Sequence, residues 1–446
     1  MYIDLNLILN DVKFDCHNWE IYDLRIDLPK NDLGSDTVNL QPNYSNPTCI
    51  FSYEGITGVG IGFTLGKGNN FVCESIRYIL KDLENIKLGE LLSQKGKIQD
   101  ILSNPSQLRW LSPNSGCAYM AAGIILNTLL DWAAKKLDLP LWKLLSLSNP
   151  ESLINWIDNR NYSNIISNKE IEEYLSTPYS KILERINQIE IQGMPSYHTT
   201  WIGSDVLSLS KEVKSINKTK GITFFKYKIH NSAKWVEERL HQLKENLEIN
   251  FNFSVDSNQM LSFESAKEIL EILNKKGCVW LEEPFAPDNI QMHSALMSYK
   301  DDRQLAVKIS SGENCPNSHV ALDLISNNSL DIFQLDACRV LSICDQIPIM
   351  LGCKKYGKDL IPHAGGSGLD ELVPHLQAFF LCRIDTEINF SDSLMENVGF
   401  CSHLFSNPTN VKNGIIEVSK KPGYIVGLND MRKIKNSKNK IVWLDL

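Results

Sequence analysis

The chain has 446 residues and a formal charge of −8, and it is 43% hydrophobic and 22% charged, as is typical of a soluble globular protein of two or three domains. With no long basic run to offset the acidic balance, a nucleic-acid or anionic-membrane partner is not expected, and no run reaches the roughly 18 apolar residues of a membrane span. Eleven cysteines without a CxxC pair, and an N-terminal stretch without the basic region of a secretory signal, predict a cytoplasmic protein with reduced thiols.

The first 150 residues are predicted to form an α+β unit. Residues 1 to about 90 have the pattern of strands and loops, and TCIFSYEGITGVGIGFTLG (48–66) alternates and turns like a β-hairpin. Residues 91–150 are predicted to be helical, because the stretch 116–145 carries apolar residues at helical spacing with a proline stop. The polar, Asn-rich residues 151–190 are predicted to form a linking loop and a helix.

From about residue 195 onward, short apolar strands alternate with amphipathic helices. Six or more such units, at roughly 25–30 residues each, predict a parallel sheet closed into a TIM-type barrel. An open doubly wound sheet is the alternative, but no strand is followed by GxGxxG, and PHAGGSGLDE (362–371) lacks the Lys-Ser/Thr of a P-loop. The predicted strands are GITFFKYKI (221–229), NFNFSVDSN (250–258), CVWLEEP (278–284), LAVKISSGE (305–313), LDIFQLDA (330–337) and DLIPHAGG (359–366).

Each of these strands ends in an ionisable side chain, and these ends recur at intervals of 23 to 31 residues. The carboxyl ends of barrel strands converge on one mouth, where active sites are found. Three successive ends, Asp256, Glu282 and Glu313, offer carboxylate oxygens of the kind that Mg²⁺ prefers. The alternative interpretation is that each acid caps the following helix or pairs with a lysine at the rim.

Two further pairs of residues point to proton transfer. Lys226 and Lys228 lie on one face of a strand, where burial and mutual repulsion would lower the pKa of one lysine enough for it to act as a base. Snorkelling surface lysines on an edge strand are the alternative. Asp336 and His363 follow adjacent predicted strands, and a carboxylate on one imidazole nitrogen fixes the tautomer for acid–base work. Alone, His363 would be read as a turn residue bonded to the backbone.

Taken together, these residues resemble the mandelate racemase-like branch of the enolase superfamily, and most closely its L-fuconate dehydratase group. The likeness keeps its order and spacing over nearly the whole chain. The superfamily uses a Lys or His base with Mg²⁺ to stabilise an enediolate. The motifs that carry the resemblance are GSDTVNLQPNYSN (34–46), GIGFTLGKG (60–68), SQLRWLSPNSG (106–116), LPLWKLL (139–145), FKYKI (225–229), DSNQ (256–259), LEEPFAPDN (281–289), SGENCPN (311–317), FQLDACR (333–339) and IPHAGGSGLDELVPHLQ (361–377).

The resemblance implies a modified (β/α)₇β barrel with an α+β cap: residues 1–150 as the cap, 151–410 as the barrel and 411–446 as a segment that completes the cap. It also implies one Mg²⁺ per site, held by Asp256, Glu313 and the first glutamate of the EEP motif, Glu282 rather than Glu283. The other implied roles are Lys228 as base, Lys226 beside the substrate carboxylate, Asp336 and His363 as a catalytic dyad, and Gly34, Ser35, Asp36, Tyr44, Asn258 and Glu396 as substrate contacts.

The implied function is a cytoplasmic, homo-oligomeric hydro-lyase. It would remove water from a 2,3-dihydroxy sugar acid through an enediolate and give a 2-keto-3-deoxy acid. Segments 158–164 and 197–205, and Met260 where the group has Trp, depart from the family pattern and bear on the substrate. Three alternatives stay open: a racemase, epimerase or dehydratase of another sugar acid, a Schiff-base lysine aldolase on a plain barrel, and a non-catalytic binding relative.

Overall fold

The structure is a computed structural model, and it describes most of the chain. The described residues are 1–26, 36–39, 43–103, 108–111, 114–202, 205–247, 251–399, 401–402, 405, 408–424 and 441–444. Gly34 and Ser35, two of the predicted substrate contacts, lie outside these residues.

The N-terminal part is built on an antiparallel sheet. Strands β1 (Trp19–Ile26), β2 (Tyr44–Tyr53) and β3 (Ile56–Ile61) pair in order, and β14 (Ile441–Leu444) pairs with the free edge of β1. The β2–β3 turn has only two residues, Glu54 and Gly55, and both have positive φ, as a tight hairpin requires. The predicted hairpin is therefore present.

Nine helices among the described residues precede the barrel. The long helix α5 (Gly116–Lys136) packs against β3, and a Cβ on Gly60 would lie 2.4 Å from the carbonyl oxygen of Ile124, so only glycine permits this approach. By length and hydropathy α5 could cross a membrane, but 83% of its most apolar window is buried inside the protein. The nine are α1 (Leu5–Leu9), α2 (Asn69–Asp82), α3 (Leu88–Leu92), α4 (Lys97–Ser103), α5 (Gly116–Lys136), α6 (Leu141–Leu147), α7 (Pro150–Ile154), α8 (Asn168–Leu175) and α9 (Tyr179–Gln192).

The linking segment differs from the prediction. Residues 151–190 hold most of α7, α8 and α9 rather than a loop and one helix. Local polar residues mark the starts of two of these helices. Asn149 caps α7 ahead of Pro150, and Ser167 and Glu170 form a reciprocal capping box at the start of α8.

The second half forms the predicted α/β barrel. Strands β4 to β10 pair in parallel in chain order, and β11 pairs in parallel with the other side of β4. The Gln377 side chain donates to the carbonyl oxygen of Leu360 in β10 and to Ser393 Oγ just before β11, which joins the two ends of the sheet. The strands are β4 (Met194–Thr199), β5 (Phe224–Lys228), β6 (Asn252–Asp256), β7 (Trp280–Glu282), β8 (Lys308–Ser311), β9 (Ile332–Phe333), β10 (Asp359–Leu360) and β11 (Met395–Glu396).

A helix follows each barrel strand from β4 to β10. Asp205, Ser232 and Ser262 cap helix N-termini with their side chains, and Gly221 and Gly277 end helices in the left-handed region. A hairpin of β12 (Asn410–Lys412) and β13 (Ile415–Glu417) then pairs with the start of β4. The helices are α10 (Val206–Lys220), α11 (Ala233–Asn246), α12 (Phe263–Lys276), α13 (Ile290–Asp302), α14 (Ser318–Ser326), α15 (Ser342–Tyr356) and α16 (Leu369–Phe379).

Candidate active site

The strand ends bring the predicted chemical groups into one row. Lys228 lies opposite Asp256, and Asp256 lies opposite Glu282, in the registers of β5, β6 and β7. Asp336 and His363 form a parallel bridge just beyond β9 and β10. The parallel register therefore gathers residues that are far apart in sequence.

Three carboxylates meet at the centre of this row. One oxygen each from Asp256, Glu282 and Glu313 lies within 4.8 Å of the others, close enough to share a single cation. Oxygen donors without sulfur or imidazole are the set that suits Mg²⁺. Glu282 is fixed from behind, because Gln334 Nε2 and Trp280 Nε1 donate to its Oε2 at 2.6 and 3.1 Å. The residues present therefore fit a divalent cation.

Burial acts strongly on these carboxylates. It raises the pKa of Glu282 to about 7, with Asp256 adding to the rise and Lys226 opposing it. The pKa of Asp256 is lowered, since the attraction of Lys228 and Lys226 outweighs the effect of its own burial. Excess negative charge in a buried site is unfavourable unless cations balance it. This group of carboxylates therefore requires balancing cations.

The two lysines pair with these acids. Lys226 bonds Glu282 and also lies 3.1 Å from Glu396 Oε1, while Lys228 bonds Asp256. Burial lowers the pKa of both lysines, but the neighbouring carboxylates outweigh it, and both pKa values are raised. The prediction that mutual repulsion holds one lysine near neutrality is therefore wrong for this arrangement, because the attraction of Asp256 for Lys228 is stronger than the repulsion from Lys226, and Glu282 and Glu396 attract Lys226.

Asp336 and His363 are in hydrogen-bonding contact. His363 Nδ1 lies 2.8 Å from Asp336 Oδ2, and its Nε2 lies 3.2 Å from Glu313 Oε2. Asp336 is held in turn by the backbone N–H groups of Cys338 and Arg339, at 2.7 and 3.1 Å. Burial alone would lower the pKa of His363, but Glu313 and Asp336 raise it to about 9. The imidazole is thus protonated at neutral pH and able to donate a proton.

Glu396 occupies the end of the last strand. Besides Lys226 it accepts hydrogen bonds from Thr199 Oγ1 and, at 2.7 Å, from the backbone N–H of Ala364. These contacts outweigh burial and hold its pKa far below the ordinary range. Its neighbour Asn397 is bonded by His198, Lys220 and Asp370, which fixes this strand end.

A cavity of about 220 Å³ lies over these groups, between the barrel mouth and the N-terminal part. Asp36, Tyr44, Asn258 and Glu396, among the predicted substrate contacts, border it, whereas Lys226 lies beneath its floor. The backbone N–H of Asn258 donates to Asp256 Oδ1 at 2.8 Å, and the side-chain oxygen Oδ1 of Asn258 accepts from the backbone N–H of Thr37 at 3.3 Å.

Several residues of the cavity wall were not predicted. Arg339 stands within the quoted FQLDACR motif, three residues after Asp336, and Trp201 follows the first barrel strand, so their positions past strand ends could have revealed them. The N-terminal residues carry no such signal. The unpredicted lining residues are Val38, Asn39, Phe63, Leu65, Thr199, Trp201, Gln259, Glu283, Asn314, Arg339 and Gly365.

The chain is similar to known proteins in sequence and in structure. The family described as "Enolase C-terminal domain-like" matches residues 208–432. L-galactonate dehydratase of Hypocrea jecorina is 30% identical over 410 residues, which cover 91% of this chain and 90% of that protein. The crystal structure of human mitochondrial enolase superfamily member 1 superposes with a TM-score of 0.87 at 28% identity, covering 94% of this chain and 96% of that one.

A more distant structure shares the fold. L-talarate/galactarate dehydratase from Salmonella typhimurium, liganded with Mg and L-lyxarohydroxamate, has a TM-score of 0.68 at 21% identity. The match covers 96% of this chain and 94% of that one.

Proposed function

The chain belongs to the enolase superfamily, in its mandelate racemase-like branch, and we propose that it is a Mg²⁺-dependent acid-sugar dehydratase. One observation carries the proposal: Lys228 and His363 both line one cavity, and the cluster of Asp256, Glu282 and Glu313 joins them, since Asp256 bonds Lys228 and Glu313, which also lines the cavity, lies 3.2 Å from His363. Dehydration needs a base for one proton and an acid for the departing hydroxyl, and the site holds a candidate for each.

The three clustered carboxylates would hold the Mg²⁺. When bound, the ion would draw electron density from the substrate carboxylate and so make the proton on the adjacent carbon more acidic. Gln334 and Trp280 keep Glu282 in position for this role. Lys226 adds a buried positive charge beneath the cavity, which favours the negative charge that develops as the proton leaves.

Lys228 is the proposed base. Its attraction to Asp256 raises its pKa, while its burial and the nearby Lys226 lower it. Once Asp256 shares its charge with a cation, the lowering effects gain weight and the amine can take a proton. Lys228 then removes the proton from C2 of the sugar acid, which leaves an enediolate.

His363 is the proposed acid. Asp336 orients the imidazole and helps to raise its pKa, which favours the protonated form. It gives this proton to the hydroxyl at C3, the C3–O bond breaks, and water leaves. The enol that remains takes a proton at C3 and releases the proton of its C2 hydroxyl, which gives a 2-keto-3-deoxy acid, so the net change is the loss of one water.

We further propose a six-carbon aldonate with an apolar end, L-fuconate, as the substrate. L-Fuconate differs from L-galactonate, the acid named for one relative, by a methyl group in place of the terminal hydroxymethyl group. The cavity wall includes four apolar side chains that suit a methyl group: Val38, Phe63, Leu65 and Trp201.

Turnover of a panel of acid sugars with Mg²⁺, read as keto acid with semicarbazide, tests the proposal. We expect keto acid from L-fuconate at the highest kcat/KM, and a lower value from L-galactonate. A preference for galactarate would contradict the apolar-end assignment, and no keto acid from any acid sugar would contradict dehydration.

Epimerisation is a second candidate, because Lys228 ends β5 and His363 lies just beyond β10, so they could serve as bases on two faces of one carbon. The raised pKa of His363 favours the acid role instead. The products separate the two: an epimerase returns an isomer of its substrate and no keto acid.

Three further features are proposed. We propose the division into 1–150, 151–410 and 411–446, which the pairing of β14 with β1 supports, although the β12–β13 hairpin pairs with barrel strand β4. A cytoplasmic location is supported by eleven unpaired cysteines. A homo-oligomer is supported by Phe71 and Tyr78, which are 62% and 57% exposed at seven-residue spacing on α2.

A further inference from the structure

A second cavity, of about 670 Å³, lies beside the amino end of β4. It is bordered by the end of α9, by α16 and by the β12–β13 hairpin with the residues that follow it. Among the described residues it shares no lining residue with the active-site cavity, whose charged groups stand at or near the carboxyl ends of the strands. Its volume falls within the range of about 300 to 1,000 Å³ that is usual for small-molecule sites.

The rim of this second cavity carries three lysines. Lys412, in β12, and Lys420 and Lys421, which follow β13, are exposed and border the cavity. None of the three forms an ion pair with a residue that the structure describes. Their ammonium groups are therefore available to an anion that enters the cavity.

The acids at the same cavity do not cancel these cations. Glu190 is paired with Lys143 at 2.7 Å. Burial raises the pKa of Glu371 well above its ordinary value, which favours the neutral carboxyl. Glu417 is exposed on the hairpin and accepts a hydrogen bond from Asn410 Nδ2 at 2.7 Å. Three unpaired lysines thus face one acid that has no cation of its own, so the cavity favours negative charge.

A buried donor and an apolar wall complete the cavity. His375 Nδ1 accepts a hydrogen bond from the backbone N–H of Trp142 at 3.3 Å, so Nε2 carries the proton of the ring, which burial keeps neutral by lowering its pKa to about 3. Nε2 is buried without a hydrogen-bond partner, whereas buried donors normally have one. The apolar lining residues are Ile189, Ile191, Pro374, Ile415 and Val418.

We propose that this cavity binds a small organic anion that has an apolar body and a phosphate or carboxylate group. The lysines and His375 Nε2–H are donors that suit the anionic oxygens, and the apolar wall would cover the body of the ligand. A free inorganic anion would leave that wall uncovered. The inference uses none of the residues assigned to the metal, the base or the acid, so it and the proposed function can fail separately.

The test measures Kd by calorimetric titration of the full chain with Mg²⁺ present. Phenyl phosphate offers both charge and an apolar body, inorganic phosphate offers the charge alone, and phenol offers the body alone. The variant Lys412→Gln/Lys420→Gln removes two charges at the rim, and Lys275→Gln/Lys276→Gln removes two exposed charges at the end of α12 as the matched control. Thermal melting confirms that each variant is folded.

In the wild type we expect phenyl phosphate to bind more tightly than inorganic phosphate or phenol. Lys412→Gln/Lys420→Gln should raise its Kd by about fivefold, while the control should match the wild type. His375→Phe, if it folds, should also weaken binding, because the buried donor is lost.

An equal Kd for phenyl phosphate in Lys412→Gln/Lys420→Gln and the wild type would place binding elsewhere, for example at the Mg²⁺ site, and would overturn the proposal. Inorganic phosphate that binds as tightly as phenyl phosphate would contradict the apolar body. Keto acid formation is measured on the same proteins. Its absence from all of them would count against dehydration alone, since the Kd values still decide whether the second cavity binds an organic anion.

Discussion

The cap and the barrel contribute unlike side chains to the same cavity. The barrel supplies the charged groups, among them Lys228, Glu313, His363 and Glu396, while the described cap residues supply mainly apolar ones such as Phe63. In the barrel, these side chains stand at or near strand ends and pair with groups of opposite charge. In the cap, packing determines where the apolar side chains of the cavity wall lie. We therefore propose that the barrel carries the chemistry and that the cap contributes most of the apolar wall that bears on the choice of substrate.

The two parts meet through close packing. Phe63, which follows β3, reaches the barrel loop at Gly366, where an added Cβ would lie 2.7 Å from the phenyl ring. Asn46 in β2 donates to the carbonyl oxygens of Gly62 and Ser367, which fastens the cap to the same loop. The apolar wall is therefore held at a fixed position over the charged floor.

Removal of Mg²⁺ should have the largest effect on the barrel side. Exhaustive chelation should abolish keto acid formation, because the carboxylates of Asp256, Glu282 and Glu313 then have no shared cation to act on the substrate. Returning Mg²⁺ at about 100 times its Kd should restore activity and raise the free energy of unfolding by about 2.7 kcal/mol, measured by thermal melting. Full turnover in chelator would contradict the metal assignment.

His363→Asn should lower dehydration by about 10²- to 10⁴-fold, the usual contribution of a general acid. Because proton removal at C2 comes earlier, exchange of that proton with deuterated solvent should persist in this variant, as read by NMR. The surface variant His241→Asn, on α11, is the matched control and should behave as the wild type. Loss of exchange together with dehydration would show that His363 also acts in the first step.

Gln334→Leu should weaken Mg²⁺ binding by about 10- to 100-fold, because Gln334 orients Glu282 without touching the cavity. Calorimetric titration of Mg²⁺ measures this directly. The variant Gln304→Leu, at the exposed end of α13, should bind Mg²⁺ normally. Equal affinities for Gln334→Leu and the wild type would mean that Glu282 needs no such support.

Phe63→Leu should have the smallest effect and should act on substrate choice. We expect KM for L-fuconate to rise by about tenfold, near the lower limit for a lost hydrophobic contact, with kcat nearly unchanged. The ratio of kcat/KM for L-fuconate and L-galactonate should move toward one. A large fall in kcat with an unchanged ratio would contradict the separation of chemistry from specificity.

The charged residues at the barrel mouth could be predicted from the sequence because strands and helices alternate there at a regular interval. A parallel strand ends where its apolar run ends, so Asp256, Glu282 and His363 could be assigned to one mouth without knowing any contact. The ion pairs could not be predicted in the same way. The contact between Lys228 and Asp256 depends on the register of two neighbouring strands, and this contact raises the pKa of Lys228 despite its burial.

The apolar residues that the cap contributes to the cavity could not be predicted from the sequence, for a physical reason. Phe63 and Leu65 are apolar residues beyond a strand, and in sequence they cannot be told from ordinary core residues. Their place at the cavity depends on how the N-terminal part packs against the barrel. Arg339 is a different case: its position three residues after Asp336 could have assigned it to the mouth, but the direction of its side chain could not be predicted.

The most direct test of the account is the rate of deuterium entry at C2 of L-fuconate, measured by NMR with Mg²⁺ in a variant whose dehydration is blocked. The single variant His363→Asn is compared with the double variant Lys228→Met/His363→Asn. The double variant Lys308→Met/His363→Asn is the control, because Lys308 is a half-exposed barrel lysine paired with Asp359. We expect exchange in His363→Asn and in the control Lys308→Met/His363→Asn. We expect no exchange above background in Lys228→Met/His363→Asn. Exchange at an equal rate in all three would contradict this expectation.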